Sequence, residues 1–195
     1  MVPFVGLTGG IGAGKSTALA ALERLGAAVL STDQVVHELY KTDEVVDAVV
    51  VRFGAEVVAD GIVDRAALAR AAFATPEDRH WLEQLLWPRV GARMVAWREG
   101  LERLSPPPRA AVVEVPLLFE SGMEAAFDAT IAVIAEEPIR AERAASRGHD
   151  ALDERLARQL TQQEKAQRAT YVVSNDGDVG ELESKLSTVL EILEQ

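Results

Sequence analysis

Residues 9–16 of the chain read Gly9-Gly10-Ile11-Gly12-Ala13-Gly14-Lys15-Ser16. This stretch fits the phosphate-binding pattern G-x-x-x-x-G-K-[ST] at every fixed position. The apolar run before it, residues 2–8, is typical of a buried parallel strand, and helix-forming residues follow at 16–25. Glycines let the backbone turn its N–H groups inward, and a helix N-terminus adds partial positive charge. The strand, loop and helix together predict a nucleoside triphosphate site.

The pattern assigns a role to each residue of this phosphate loop. We expect the backbone to surround the phosphates at Gly10, Ile11, Gly12, Ala13 and Gly14. Lys15 would reach the β- and γ-phosphates of ATP, and the Ser16 hydroxyl would ligate Mg²⁺. The alternative is a glycine-rich turn with a surface lysine, which the flanking strand and helix disfavour. A dinucleotide fingerprint does not fit, because its third glycine would fall at Lys15.

Four further apolar runs are strand candidates, at residues 27–31, 110–115, 130–135 and 171–174, and helical stretches separate them. This alternation favours an α/β fold with a parallel sheet. We therefore expect one P-loop NTPase domain with five parallel strands. Its core would comprise residues 1–33, 109–136 and 169–195. An almost wholly helical substrate lobe would occupy residues 34–108, and a lid residues 137–168.

The composition excludes several classes of protein. The 195 residues include 31 Asp and Glu against 20 Lys and Arg, a net charge of −11. Such acidity argues against a protein that coats nucleic acid. The absence of cysteine excludes disulfides, thiolate zinc sites and a cysteine nucleophile. No apolar run approaches the roughly 20 residues that span a bilayer, and the first eight residues lack signal-peptide features. We expect a cytoplasmic protein that does not bind membranes, and a monomer, with an oligomer left open.

Two acidic residues follow or end predicted strands. Asp33 comes just after the second strand, at the sheet edge where ligands bind. Its carboxylate could orient an acceptor hydroxyl and take its proton, or it could cap a helix that begins at Gln34. Glu114 follows the apolar run 110–113 of the third strand and resembles the Walker B position, where it would hold a Mg²⁺-bound water. The alternative for Glu114 is a solvent-facing strand residue.

A stripe of arginines follows Pro138. Arg140, Arg143 and Arg147 are spaced three and four residues apart, so they share one helix face. Three guanidinium groups near an ATP site suit phosphate recognition and neutralisation of transition-state charge. The alternative is a solvated helix face on which these arginines pair with neighbouring glutamates.

The chain resembles the dephospho-CoA kinase family over nearly its whole length. The resemblance begins with residues 6–17, which contain the phosphate loop in a Thr-Gly-Gly-Ile-Gly form. It continues through Asp60-Gly61-Ile62-Val63-Asp64-Arg65 and Val115-Pro116-Leu117-Leu118-Phe119-Glu120 to Asn175-Asp176-Gly177. The phosphate loop is shared by many kinases, whereas the order of the other stretches is much more specific.

The resemblance implies a nucleoside-monophosphate-kinase-like fold with a helical substrate lobe and a lid. It also implies ATP- and Mg²⁺-dependent phosphorylation of the ribose 3′-hydroxyl of dephospho-CoA, the final step of CoA biosynthesis. Asp33 would be the base, and Lys15 and Arg143 would stabilise the transferring phosphoryl group. The family pattern adds Thr17 and Arg147 as nucleotide contacts, and Thr8, Arg65 and Leu117 as acceptor contacts.

Two positions depart from the family pattern, and other functions stay open. Ser31 stands where the family commonly has the first carboxylate of Asp-Ala-Asp, and Trp87 replaces the histidine of a common His-Pro. Arg65 could touch substrate or pair with a neighbouring carboxylate. Another small-molecule P-loop kinase, such as a nucleoside or nucleotide kinase, is the alternative enzyme. A regulatory NTP-binding switch fits less well, because the long insert suggests a lobe for a second substrate.

Overall fold

A five-stranded parallel sheet forms the centre of the chain. The computed structural model describes residues 1–145 and 159–195. The sheet has the strand order β2-β5-β1-β6-β7, and all neighbouring strands are parallel. Its strands are β1 (Phe4–Gly9), β2 (Ala28–Ser31), β5 (Ala111–Glu114), β6 (Ala129–Ile134) and β7 (Tyr171–Ser174). The predicted α/β P-loop fold is confirmed.

The helices connect these strands or form the long insert. In the described residues they are α1 (Lys15–Arg24), α2 (Thr32–Leu39), α3 (Asp43–Phe53), α4 (Arg65–Ala72), α5 (Pro76–Leu101), α6 (Glu137–Ala145), α7 (Gln162–Arg168) and α8 (Val179–Leu193). The chain divides into two compact units. One unit comprises Met1–Ser31 and Gly100–Gln195, and the other comprises Thr32–Glu99.

Residues alternate between the two faces of β1, and this alternation positions the site. Val5 and Leu7 are completely buried in a core shared with α1 and α8. Phe4, Gly6 and Thr8 fall on the other face by the period-two rule. There the ring of Phe4 stacks on Phe127 with centroids 4.7 Å apart. One face of β1 therefore packs in the core. The loop after β5 and helix α7 contact the opposite face.

The unit Thr32–Glu99 is mostly helical and contains one short hairpin. Strands β3 (Val58–Ala59) and β4 (Ile62–Val63) form an antiparallel hairpin within it. Asp60 and Gly61 form the turn that joins them, with φ of 51° and 76°, a region that glycine adopts readily. The hairpin was missed because strands of two residues are too short to show periodicity.

Two helices of this unit begin with a side-chain cap. The Asp64 carboxylate accepts hydrogen bonds from the N–H groups of Ala66 and Ala67 at the start of α4. The Thr75 hydroxyl accepts one from the N–H of Asp78 at the start of α5. These short polar side chains satisfy N–H groups that have no partner within the helix. None of the helices in the described ranges is long and apolar enough to cross a membrane.

Candidate active site

The phosphate loop lies between the end of β1 and the start of α1, as predicted. Gly12 and Gly14 have φ of 75° and 91°, a region that other residues rarely adopt. The Lys15 ammonium donates to the carbonyls of Gly9 at 3.0 Å and of Gly10 at 3.3 Å. The lysine thus folds back over its own loop, with its charge held beside the predicted phosphate position. Ser16 follows in the first turn of α1 and is exposed.

Arg140 in α6 contacts the loop directly. Its Nε donates to the carbonyl of Ile11 at 3.0 Å, and its guanidinium pairs with Glu137 at 2.6 Å. A Cβ added to Gly12 would lie 2.4 Å from the Arg140 carbonyl oxygen, so the backbone of α6 packs tightly against the loop. The side chain of Arg140 is only 15% exposed. Arg140 therefore pairs with a neighbouring glutamate, as the alternative expected, but it does not lie on a solvated face.

Arg143 lies almost one turn further along α6 and points toward the same loop. Its guanidinium donates to the carbonyl of Asn175 at 3.0 Å. The same guanidinium nitrogen would lie 3.7 Å from a Cβ built on Gly14. Arg143 is half-buried, and its predicted role in phosphoryl transfer stays a prediction. Arg147, the third member of the stripe, lies outside the described residues.

Asn175 joins the end of β7 to the loop. Its side-chain amide donates to the carbonyl of Ala13 at 2.9 Å, and its own N–H donates to the carbonyl of Ile134. The residue is 5% exposed. The buried amide thus fixes the part of the loop that leads into α1. This residue belongs to the Asn-Asp-Gly stretch of the sequence, but the sequence offered no role for it.

Glu114 ends β5 next to the loop-bearing strand. It is paired in register with Leu7 of β1 on one side and with Ser31 of β2 on the other. Because the residue is only 8% exposed, the alternative of a solvent-facing strand residue is wrong. A buried carboxylate at the carboxyl end of a central strand suits a position near bound Mg²⁺. The metal role itself stays a prediction.

Thr8 and Leu117 are held by the loop that follows β5. The Thr8 hydroxyl is completely buried and donates to the carbonyl of Pro116 at 3.2 Å. Leu117 is half-buried, and its carbonyl accepts hydrogen bonds from both the N–H and the hydroxyl of Ser121. Their predicted contacts with the acceptor stay predictions.

A buried lysine adds a charge that sequence reasoning did not select. Lys165 in α7 is completely buried, and its ammonium lies 2.9 Å from a carboxylate oxygen of Glu120. Burial lowers the pKa of Lys165, while the hydrogen bond and the charge of Glu120 act in the opposite direction. The sequence signal that could have identified Lys165 is the rarity of lysine, because the chain has four lysines against sixteen arginines.

The unit Thr32–Glu99 carries the two other predicted acceptor residues. Helix α2 begins at Thr32, so Asp33 lies in its first turn and does not cap it. Asp33 is exposed, and it follows β2 directly in the chain. Arg65 is the first residue of α4 and is also exposed. It forms no ion pair within residues 1–145 and 159–195, which removes the alternative of pairing with a described carboxylate.

The comparisons with known proteins agree on one family. The sequence model of the dephospho-CoA kinase family matches residues 3–181. The chain is 39% identical to a dephospho-CoA kinase of Deinococcus radiodurans over 193 residues, which cover 97% of this chain and 92% of that protein. It is 40% identical to one of Chromobacterium violaceum over 188 residues, covering 93% and 89%.

Solved structures have the same fold. The crystal structure of TT1252 from Thermus thermophilus superposes with a TM-score of 0.79 at 36% identity, covering 98% of each chain. A dephospho-CoA kinase from Campylobacter jejuni shares the fold, with a TM-score of 0.72 at 22% identity, covering 100% of this chain and 98% of that one. The resemblance drawn from the sequence is confirmed, and this chain belongs to the dephospho-CoA kinase family.

Proposed function

We propose that this chain transfers the γ-phosphoryl group of ATP to the ribose 3′-hydroxyl of dephospho-CoA and thereby forms CoA and ADP. The bond from the γ-phosphorus to the β,γ-bridging oxygen breaks, the bond to the 3′-oxygen forms, and the hydroxyl proton leaves. One observation carries the proposal, namely the phosphate loop against which the side chains of Lys15, Arg140 and Arg143 lie. The family supplies the identity of the acceptor.

The cations would act on the charge of the transferring group. Hydrogen bonds from an ammonium to phosphate oxygens are stronger than those to neutral carbonyls. Lys15 would therefore leave the carbonyls of Gly9 and Gly10 for the β- and γ-phosphates when ATP binds. Arg140 would hold the loop, and Arg143 would neutralise charge on the γ-phosphoryl group, together with Arg147. Positioned charge of this kind supplies most of the catalysis in phosphoryl transfer.

Asp33 would orient the acceptor and take its proton. It follows the carboxyl end of β2 by two residues, and Ser31 at that end is paired in register with Glu114. An exposed carboxylate here can accept a hydrogen bond from the 3′-hydroxyl and receive its proton. Thr8, Leu117 and Arg65 would form further contacts with dephospho-CoA, as the family pattern implies.

The described residues fit a magnesium ion that arrives with the nucleotide. In the described part of the chain, no three His, Asp or Glu residues are grouped closely enough to hold a metal alone. Mg²⁺ in nucleotide sites commonly has one or two protein ligands, with phosphates and waters as the others. The Ser16 hydroxyl would bind it directly, and Glu114 through a water. The ion would supply charge neutralisation between the β- and γ-phosphates.

Release of ADP with different acceptors would test the proposal. Purified protein, ATP and Mg²⁺ would be incubated with dephospho-CoA, with a nucleoside monophosphate, or with no acceptor. We expect fast release of ADP only in the arm that contains dephospho-CoA. The product should be one phosphoryl group heavier than dephospho-CoA, and its ³¹P spectrum should place that group on the 3′-oxygen. Equal release in all three arms would indicate an ATPase, and preference for the monophosphate a nucleotide kinase. We further propose a cytoplasmic location and a monomeric state, which fractionation and sedimentation would test.

A further inference from the structure

The ammonium of Lys165 joins three separate segments of the chain. It donates to the carbonyl of Pro116 at 2.7 Å and to the hydroxyl of Thr8 at 3.3 Å, and it pairs with Glu120 at 2.9 Å. Thr8 directly precedes the phosphate loop, and Pro116 and Glu120 lie in the loop after β5. One buried charge in α7 thus connects the end of β1 to this second loop.

Glu120 extends the connection to the chain segment before α7. The same oxygen that pairs with Lys165 accepts a hydrogen bond from the N–H of Leu160 at 2.8 Å. Leu160 precedes Thr161, the capping residue of α7. The other carboxylate oxygen of Glu120 is buried and accepts no hydrogen bond within the described ranges. Within the described residues, both contacts of the Glu120 carboxylate are therefore made by the same oxygen.

Stability alone is a weak reason for such a pair. Removing an ammonium and a carboxylate from water costs free energy that their attraction only partly offsets. Well-packed apolar side chains of similar volume are often as stabilising or more so. Unlike an apolar contact, however, the ammonium fixes three oxygen atoms at hydrogen-bond distances. The arrangement therefore specifies position, which a catalytic loop needs.

We propose that Lys165 and Glu120 are positioning residues that fix the loop of residues 115–121 against the end of β1. The inference rests on the proposed function, in which Leu117 contacts the acceptor. In this loop, Leu117 lies between Pro116 and Glu120. The ammonium of Lys165 donates to the carbonyl of Pro116 and pairs with the carboxylate of Glu120. The nucleotide side is held independently, because Asn175 and Arg140 bond to the phosphate loop themselves. Loss of the pair should therefore affect the acceptor more than ATP.

The test uses a double variant, Lys165→Met with Glu120→Leu, in which the pair is replaced by apolar groups. We expect it to fold, because no charge is left buried alone. We also expect kcat/KM for dephospho-CoA to fall about a hundredfold, as for a slightly misplaced substrate. The KM for ATP should stay within about twofold of the wild-type value. Lys185→Met is the matched control, since Lys185 is exposed and also donates to a carbonyl.

Hydrogen exchange provides a readout that does not depend on activity. The N–H groups of Ser121 and Met123 donate to the carbonyls of Leu117 and Leu118, so they report on the order of this loop. We expect their peptides to exchange faster in the double variant than in Lys185→Met. Lys165→Gln with Glu120→Gln, in which again no charge is left buried alone, replaces the double variant if that protein does not fold.

The two proposals fail in different ways. A double variant with wild-type kinetics and wild-type exchange in residues 115–123 overturns the positioning role. An equal loss for ATP and dephospho-CoA overturns it too, because the pair would then not act on the acceptor side. A wild-type protein that does not phosphorylate dephospho-CoA refutes the proposed function, and the exchange measurement still decides whether the pair fixes the loop.

Discussion

The side-chain amide of Asn175 donates a hydrogen bond to the backbone carbonyl of Ala13 at 2.9 Å. A Cβ on Gly14 would lie 2.0 Å from that amide nitrogen, so the amide occupies the space that the glycine leaves. The carbonyl of Asn175 in turn accepts a hydrogen bond from Arg143. One residue after β7 therefore links the phosphate loop to the first helix of the expected lid.

Replacing Asn175 by aspartate should weaken ATP binding selectively. The carboxylate has the same shape, but it cannot donate to Ala13, and it adds negative charge beside the predicted phosphates. Loss of a buried hydrogen bond of this kind predicts an increase of about tenfold in the KM for ATP. Steady-state kinetics with varied ATP would measure it.

Asp176→Asn is the matched control for Asn175→Asp. Asp176 accepts a hydrogen bond from the N–H of Glu136, and an asparagine oxygen can still accept it. We expect near-wild-type kinetics for this variant. If Asn175→Asp also kept the wild-type KM for ATP, the contact with Ala13 would have no part in nucleotide binding.

Arg140→Met should impair ATP binding, since the guanidinium would no longer hold the carbonyl of Ile11. We expect the Kd for ATP to rise about tenfold, the usual effect of losing one hydrogen bond from a charged group. Isothermal titration with a non-hydrolysable ATP analogue would measure it. Arg103→Met provides the control because Arg103 is an exposed arginine outside the loop. Equal affinity in both variants would show that Arg140 does not support the loop.

The phosphate loop and the sheet could be predicted from the sequence because their signals are local. A glycine pattern fixes the loop, and short apolar runs between turn residues mark buried strands. Strand β7 was predicted with its observed ends, Tyr171 and Ser174. The hairpin around Asp60 was missed because its strands have only two residues each.

The contacts of Arg140, Asn175 and Lys165 could not be predicted, because each joins residues far apart in the chain. Arg140 contacts Ile11 across 129 positions, and Asn175 contacts Ala13 across 162. The helical spacing showed that Arg140 and Arg143 share a face, but not which surface that face meets. The burial of Lys165 could not be predicted, because lysine is rarely buried without a partner. Its partner, Glu120, lies 45 positions away in the sequence.

Lys15→Ala should damage phosphoryl transfer more than protein stability. Lys15 is half-buried, and its hydrogen bonds to the carbonyls of Gly9 and Gly10 lie within its own loop. Its charge would be missing where the transition state needs it, and we expect kcat to fall at least about a thousandfold. Single-turnover kinetics would measure the chemical step, and thermal unfolding would measure stability. Full activity in this variant would refute the kinase proposal.

Asp33→Asn should nearly abolish turnover and leave ATP binding intact. The amide keeps the size of the side chain but cannot take the proton of the acceptor hydroxyl. General-base catalysis contributes about 10²- to 10⁴-fold, so we expect kcat to fall by that factor. The Kd for ATP and the unfolding temperature are the internal controls, because Asp33 is exposed in the first turn of α2. Unchanged turnover would remove Asp33 from its assigned role.

The free energy of unfolding should change with pH in the alkaline range because of Lys165. Burial lowers the pKa of Lys165 below its ordinary value. Between that lowered pKa and the ordinary one, the unfolded chain binds a proton that the native chain has released. The contribution of Lys165 to the free energy of unfolding therefore rises with pH across this window, and is lost as pH falls through the lowered pKa.

Urea unfolding of the wild type and of the double variant, Lys165→Met with Glu120→Leu, at a series of pH values up to about 10, would isolate this contribution. The difference in unfolding free energy between the two proteins should change in favour of the wild type as pH rises. The slope can reach at most about 1.4 kcal/mol per pH unit, the value for one proton. A difference that is constant over the whole range would show that burial leaves the pKa of Lys165 unshifted, because the native and unfolded chains would then release that proton together.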